Sequence, residues 1–135
     1  MGEPQVVSAL RMEGATPVLL GGRARDGGAY AFPMPTGPAA ARYEETPLKS
    51  EGVLWSYTVQ RFPPKTPFKG ELDPKKFTPY AVGYVELPGQ IIVETRIKTD
   101  NFAALRIGMP MRLTTDVVAP ADGAHKLLTY AFEPA

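Results

Sequence analysis

Hydrophobic and polar residues alternate along most of the second half of the chain, with the period of two that is typical of β-strands. Between Ile91 and Lys98, for example, Val93, Thr95 and Ile97 fall on one face, and the charged side chains fall on the other. This pattern predicts five strands, at residues 53–62, 80–87, 91–98, 111–118 and 126–132. The first is rich in β-branched and aromatic residues, but its alternation is imperfect.

A short helical segment separates the third and fourth predicted strands. Residues 101–108 are expected to form about one helical turn, with Asp100 or Asn101 as its cap and Gly108 after its end. Five short strands with one short helix at this position are the plan of an OB-type barrel. We therefore predict a mainly β fold in which residues 46–135 form a five-stranded OB-type barrel.

The first 45 residues have a different pattern, with glycines and prolines at short intervals and without long alternating stretches. Residues 4–12 have the spacing of a short helix, with Pro4 in its first turn and Gly14 after its end, although a frayed terminus is equally compatible. Gly27 and Gly28 predict a hairpin turn between short extended pieces. Three prolines then argue against helix or central strand in the following stretch: Pro33, Pro35 and Pro38. The predicted organisation is a segment at 1–14, a small knuckle at 15–45 and the barrel at 46–135.

Composition removes several classes of function. The 135 residues include no Cys and one His, which excludes disulfides, a Cys nucleophile, iron–sulfur clusters and thiolate zinc sites. The net charge of +1 is weak support for nucleic-acid binding. No apolar run approaches the ~20 residues needed to span a bilayer. Residues 1–12 contain Glu3, Pro4 and Arg11 and therefore lack a secretory hydrophobic region, so we expect a cytoplasmic protein.

Catalytic motifs are not evident. His125 stands beside Asp122 and Gly123, a setting that suits a solvated turn histidine better than a general base. The serines lack the Gly-x-Ser-x-Gly elbow: Ser8, Ser50 and Ser56. The paired glycines do not match a phosphate-cradling loop. We expect no catalytic residue in this chain.

A series of short motifs resembles one known family. Leu20-Gly-Gly-Arg-Ala-Arg-Asp-Gly-Gly28 is followed by Phe32-Pro-Met, by Gly37-Pro-Ala-Ala and by Trp55-Ser-Tyr-Thr-Val. The order and spacing resemble the acyl-CoA-associated OB-fold proteins with an N-terminal rubredoxin-like zinc ribbon, which read Cys-x-x-Cys-Gly, Phe-Pro-Pro, Cys-Pro-x-Cys and Ser-Tyr-Thr. Later motifs such as Leu105-Arg-Ile-Gly-Met-Pro-Met-Arg-Leu113 extend the resemblance over residues 17–135.

The chain departs from this family at the zinc ligands. The four ligand positions carry Ala24, Gly27, Gly37 and Ala40, none of which can bind zinc. The resemblance therefore implies a degenerate ribbon without metal. Structural zinc contributes about 10–16 kcal/mol in small finger peptides, so we expect the knuckle to pack on the barrel through residues such as Tyr30 and Phe32, or on a partner protein.

The resemblance implies a role in acyl-CoA metabolism. Proteins of this family look like partner subunits of thiolase-superfamily enzymes. These enzymes are acyltransferases, thiolases and aldolases, including those of steroid side-chain degradation. We expect a non-catalytic subunit of such a hetero-oligomer, beside a thiolase-superfamily or lipid-transfer-protein-like subunit. No cofactor is expected to bind this chain itself, and an acyl-CoA would be the substrate of the complex.

The connection between the first two predicted strands is long, rich in proline and basic. It supplies four candidate contacts to CoA phosphates or to an acidic patch on the partner: Arg61, Lys65, Lys69 and Lys75. A merely solvated loop is the alternative. Two other functions stay open, a stand-alone ligand-binding barrel and a single-stranded nucleic-acid binder. The second would stack bases on aromatic residues chosen from Trp55, Tyr57, Phe62, Tyr80 and Tyr84.

Overall fold

The computed structural model describes residues 5–61, 79–118 and 126–135. Within them the chain forms ten β-strands and two 3-10 helices. The strands are β1 (Gln5–Val6), β2 (Leu10–Glu13), β3 (Thr16–Ala24), β4 (Tyr30–Ala31), β5 (Tyr43–Pro47), β6 (Glu51–Gln60), β7 (Tyr80–Leu87), β8 (Ile91–Ile97), β9 (Pro110–Val118) and β10 (Leu127–Pro134). The 3-10 helices are Gly37–Arg42, before β5, and Phe102–Ala104, between β8 and β9.

Strands β6 to β10 close into a five-stranded barrel. β7 pairs antiparallel with both β6 and β8, and β9 pairs antiparallel with both β6 and β10. A parallel contact between Phe132 on β10 and Ile97 on β8 completes the circle. All five strands lie within a few residues of their predicted positions, and the mainly β, OB-type prediction is confirmed.

Alternation along the strands decides which side chains fill the barrel. Val93, Thr95 and Ile97 of β8 are buried, whereas Ile92 and Glu94 are exposed, as the sequence pattern predicted. The largest side chains of the core come from every barrel strand and from the loop before β9: Leu54, Val85, Leu87, Val93, Leu105, Met111 and Phe132. Burial of each aliphatic or aromatic side chain contributes about 1.5–3 kcal/mol.

Strand β6 contains a β-bulge that explains its imperfect alternation. Leu54 pairs with Val85 and Ser56 pairs with Tyr84, so Trp55 is an extra residue on β6. A bulge of this kind changes which face the following side chains occupy. Leu54 therefore points inward before it, and Tyr57 packs against the core after it.

The predicted N-terminal helix is wrong. Residues 5–6 form β1, parallel to β10, and residues 10–13 form β2, antiparallel to β3. The Gln5 N–H donates to the Lys126 carbonyl at 3.1 Å, and the Val7 N–H donates to the Leu128 carbonyl at 3.0 Å. Helices this short are marginal in water, so pairing with an existing strand outweighs the local helical spacing.

A second sheet covers one side of the barrel. β3 pairs with β2, β4 and β5, and its buried Leu19 joins the barrel core. The predicted turn at Gly27 lies between β3 and β4. The expectation that prolines exclude a helix after residue 33 is wrong for the 3-10 helix Gly37–Arg42, because Pro38 stands in its first turn, where its missing N–H is not needed.

The short helix after β8 is smaller than predicted. Only Phe102–Ala104 is helical, with Asn101 at the N-cap position but without a side-chain capping bond. Gly108 follows with a positive φ of 91°. The segment covers one end of the barrel, where Leu105 is buried.

Candidate functional site

The four positions at which the resemblance implies lost zinc ligands lie in two segments beside the second sheet, residues 24–27 and 37–42, which we call its two arms. Ala24 ends β3 and Gly27 stands in the turn that follows, while Gly37 and Ala40 lie in the 3-10 helix. Gly27 and Gly37 have φ values of +83° and +67°. This is the left-handed region that favours glycine over any other residue. The backbone at these two positions is therefore suited to glycine rather than to cysteine.

Arg25 joins the two arms. Its main-chain N–H donates to the Arg42 carbonyl at 2.9 Å, and its side-chain Nε donates to the Ala41 carbonyl at 3.1 Å. Between the arms lies an open depression of about 460 Å³, lined by Ala24, Arg25, Asp26, Ala41, Arg42 and Tyr43. Within the described ranges, no group of three His, Cys, Asp or Glu side chains is placed to hold a metal ion.

Aromatic side chains attach this second sheet to the barrel. Tyr30 and Phe32 pack against the barrel core, as expected. The ring of Phe32 meets the ring of Tyr130 edge-on, with centroids 5.3 Å apart. The Arg23 guanidinium lies over the Tyr30 ring at 5.6 Å.

Most of the basic loop lies outside the described residues. This applies to Lys65, Lys69 and Lys75, and also to Phe62 and to His125 in the later turn. Arg61 is described, and its guanidinium lies 5.7 Å from the centre of the Phe102 ring. The assignment of these four basic residues to CoA phosphates stays a prediction.

Large apolar side chains are exposed on the outside of the barrel. Trp55 is 53% exposed, Tyr84 42% and Ile92 38%. The Trp55 and Tyr84 rings meet edge-on at 6.2 Å, while Glu86 is paired in register with Ile92 and Glu94 with Tyr84. We call these five residues the outer aromatic face. Apolar patches of this kind mark interaction surfaces more often than scattered single residues do.

The profile of the ChsH2 C-terminal OB-fold domain matches residues 45–116, more than half of the chain. The chain belongs to this family. A solved structure described as "Ltp2-ChsH2(DUF35) aldolase" resembles this ChsH2-family chain with a TM-score of 0.59 and 23% identity, over 87% of this chain and 84% of that one. A search of the curated proteins finds no match. At this identity the structural likeness supports the fold alone.

A second feature of this ChsH2-type barrel is a gap between β8 and β10. The Tyr130 hydroxyl crosses it and donates to the Glu94 carbonyl at 3.3 Å. Burial, and secondarily the nearby Glu94 carboxylate, raise the pKa of Tyr130 above its usual value. An open cavity of about 340 Å³ lies here, lined by Val82, Glu94, Thr95, Arg96, Thr129 and Tyr130.

Arg96 is held at the side of this gap. Its guanidinium stacks over the Tyr80 ring, 4.2 Å from the ring centre, and its Nε lies 4.0 Å from an Asp116 carboxylate oxygen. Both contacts engage the guanidinium of Arg96 with side chains of this same chain. Arg96 is therefore less available to a ligand than its charge suggests.

The aromatic residues suggested for base stacking in this ChsH2-family chain do not share one surface. The bulge turns Trp55 and Tyr57 to opposite sides of β6. The Tyr57 hydroxyl donates to the Leu105 carbonyl at 3.3 Å, and the ring packs on the core. The exposed pair is instead Trp55 and Tyr84. The available signal was the large apolar side chains at outward positions of β7 and β8, among them Tyr84 and Ile92.

No helix in the described ranges is both long and apolar enough to traverse a bilayer.

Proposed function

We propose that this chain is a non-catalytic subunit of a heteromeric complex that acts on acyl-CoA thioesters. Its partner would be a thiolase-superfamily or lipid-transfer-protein-like subunit, in a cytoplasmic aldolase, thiolase or acyltransferase of the kind used in steroid side-chain degradation. Membership in the ChsH2 OB-fold family supports the proposal. The solved structure that shares this fold is described as an Ltp2-ChsH2(DUF35) aldolase, which is the kind of complex that we propose.

The outer aromatic face is the observation that carries this proposal. Trp55 and Tyr84 are the residue types that most often dominate binding energy at protein interfaces. Both are exposed although the barrel core is filled by other side chains. Folding leaves these two rings in contact with water, so their burial against a partner would add to the free energy of association.

The charges around this face indicate what the partner offers. Glu86 and Glu94 are exposed and flank the apolar residues, whereas Arg96 is already paired with Asp116. A complementary surface would have an apolar centre with lysine or arginine at its rim. We assign this surface to the catalytic subunit of the complex.

The reaction itself would belong to that catalytic subunit. In our proposal Arg61, Lys65, Lys69 and Lys75 meet CoA phosphates or an acidic patch of the partner, since guanidinium and ammonium groups suit phosphate electrostatically. The fourfold charge reversal to glutamate should weaken CoA-thioester affinity or complex assembly. If both stay unchanged, this part of the proposal is wrong.

Affinity purification of the tagged chain from its source cells, followed by native mass measurement, tests the main proposal. We expect a thiolase-like subunit in stoichiometric amount. The variant Trp55→Ala should weaken its binding by about tenfold or more, the range of an interface hot spot. Val117→Ala is the matched control, because Val117 is also exposed, at 47%, but lies on β9.

Two outcomes would contradict the proposal. One is turnover of an acyl-CoA by the purified chain alone. The other is a chain that stays monomeric beside the thiolase-like subunit, which would favour a stand-alone binding barrel.

A further inference from the structure

Within the described part of the chain, β7 pairs with strand β8 along the whole of one edge, whereas β10 pairs with the other edge only at Ile97. The main-chain N–H and C=O groups of the odd-numbered residues of β8 point toward β7, where Val93 pairs with Val85 and Thr95 with Gly83. Those of the even-numbered residues point into the gap. The Glu94 carbonyl accepts from Tyr130 there, and the N–H of Lys98, directly after β8, donates to the Phe132 carbonyl. In a strand, the N–H and C=O of one residue point to the same side. The N–H groups of Ile92 and Glu94 therefore point into the gap.

On the opposite side of the gap, the edge of β10 already pairs with an added strand. The carbonyls of Lys126 and Leu128 on β10 accept hydrogen bonds from Gln5 and Val7, so β1 extends the sheet there. No described strand does the same for β8 between residues 91 and 96. An unpaired strand edge is a template for another extended segment.

The side chains along this edge define the segment that fits it. Ile92 is apolar and exposed. Glu94 is exposed, and among the described residues it forms no ion pair. Arg96, in contrast, is held by Asp116 and Tyr80. Residues directly opposite on paired strands interact when apolar meets apolar and when charges are opposite. The complementary strand would place an apolar residue beside Ile92 and a basic residue beside Glu94.

We propose that the catalytic partner adds an extended strand, with alternating apolar and basic side chains, to the edge of β8 at Ile92 and Glu94. The strand would accept from the N–H groups of these two residues, because the Glu94 carbonyl already accepts from Tyr130. This inference rests on the proposed function, because it assigns the strand to that same partner. The edge adjoins the outer aromatic face, so one partner surface can contact both. Main-chain hydrogen bonds would then add to the contacts of Trp55 and Tyr84.

A pair of variants at one position separates the main chain from the side chain. Glu94→Pro removes the outward N–H without breaking a bond to β7, and proline is tolerated on edge strands. Glu94→Ala keeps that N–H and removes the carboxylate. We expect Glu94→Pro to weaken partner binding by more than about tenfold and Glu94→Ala by only about threefold. Circular dichroism and the unfolding midpoint verify that both variants fold.

Amide hydrogen exchange of the unmodified chain provides a test that does not depend on any variant. In the complex, exchange at Ile92 and Glu94 should slow strongly. Exchange at Val93 and Thr95 should be slow with and without the partner, because their amides bond to β7. These two residues are internal controls in the same strand.

The outcomes distinguish this inference from the proposed function. If the unmodified chain binds no partner, both are overturned. If it binds, but Glu94→Pro binds as well as Glu94→Ala and the Ile92 amide exchanges unchanged, the strand addition is wrong and the subunit assignment stands. Protection that increases with the concentration of the chain alone also overturns the inference, because a second copy would then occupy the edge.

Discussion

The hydroxyl of Tyr130 donates a hydrogen bond to the main-chain carbonyl of Glu94, at 3.3 Å, across the part of the barrel where β8 and β10 have separated. Direct main-chain pairing of these strands is limited to the neighbourhood of Phe132 and Ile97. A side chain therefore bridges the barrel where the ladder does not. The same ring is in edge contact with Phe32, so Tyr130 also links the barrel to the second sheet.

Removing this hydroxyl should destabilise the chain moderately. We expect Tyr130→Phe to lower the free energy of unfolding by about 0.5–1.5 kcal/mol, the usual net contribution of one hydrogen bond. Urea denaturation measures the change. Tyr84→Phe is the control, because Tyr84 lies exposed on the outside of β7 and should change stability little. Equal stability of Tyr130→Phe and the unmodified chain would show that the hydroxyl does not bridge the strands in solution.

The same residue predicts a loss of stability in alkali. The pKa of Tyr130 is raised in the folded chain, because burial and the Glu94 charge disfavour the phenolate. Above a pH of about 10 the unfolded chain releases this proton while the folded chain still holds it. The contribution is complete below that pH and is lost as the pH rises toward the folded pKa.

Unfolding free energies between about pH 8 and 11 should therefore fall more steeply for the unmodified chain than for Tyr130→Phe. Identical slopes would contradict the raised pKa.

The two glycines with positive φ in the arms, Gly27 and Gly37, should resist substitution. Gly27→Ala and Gly37→Ala each place a Cβ on a backbone with positive φ, so we expect each to lower the unfolding free energy by about 1–2 kcal/mol. Thermal and urea unfolding give the values. Ala39→Ser is the control, because Ala39 is exposed in the 3-10 helix Gly37–Arg42. It should change the unfolding free energy by less than about 0.5 kcal/mol. Neutral glycine substitutions would mean that the turns adopt other conformations in solution.

Trp55 provides an optical test of the interface. It is the only tryptophan in the chain and is about half-exposed, so its emission should be quenched readily by acrylamide in the free chain. Binding of the thiolase-like subunit should shift this emission to shorter wavelength and reduce quenching, because the indole loses contact with water. A tryptophan-free variant of the partner keeps the signal specific. Unchanged quenching in a complex of verified stoichiometry would place the interface elsewhere.

The barrel strands were predictable because each has one buried and one solvated face. The buried positions of β8, such as Val93 and Ile97, follow directly from the alternation in the sequence. The N-terminal strands were not predictable in this way. The conformation of Gln5 and Val6 is decided by β10, more than a hundred residues later in the chain, and no local pattern contains that information.

The candidate site was predictable only in part. The resemblance singled out the segments around Ala24 and Ala40, and the assignment of lost zinc ligands to them stays a prediction. The two bonds by which Arg25 joins the arms could not be predicted, since they depend on the positions of the Ala41 and Arg42 carbonyls. The outer aromatic face was missed because a one-residue bulge decides where Trp55 points. Its other apolar members, Tyr84 and Ile92, occupy outward positions that are usually polar in a one-sided sheet.

The bulge separates two roles of Trp55. Its main chain is the extra residue that bends β6 where the strand passes from pairing with β9 to pairing with β7. Its side chain points away from the interior, whereas Leu54 before it lies in the core and Tyr57 after it packs against the core. The barrel therefore needs a residue at this position but not an indole, so the identity of this side chain is set by what meets the barrel from outside.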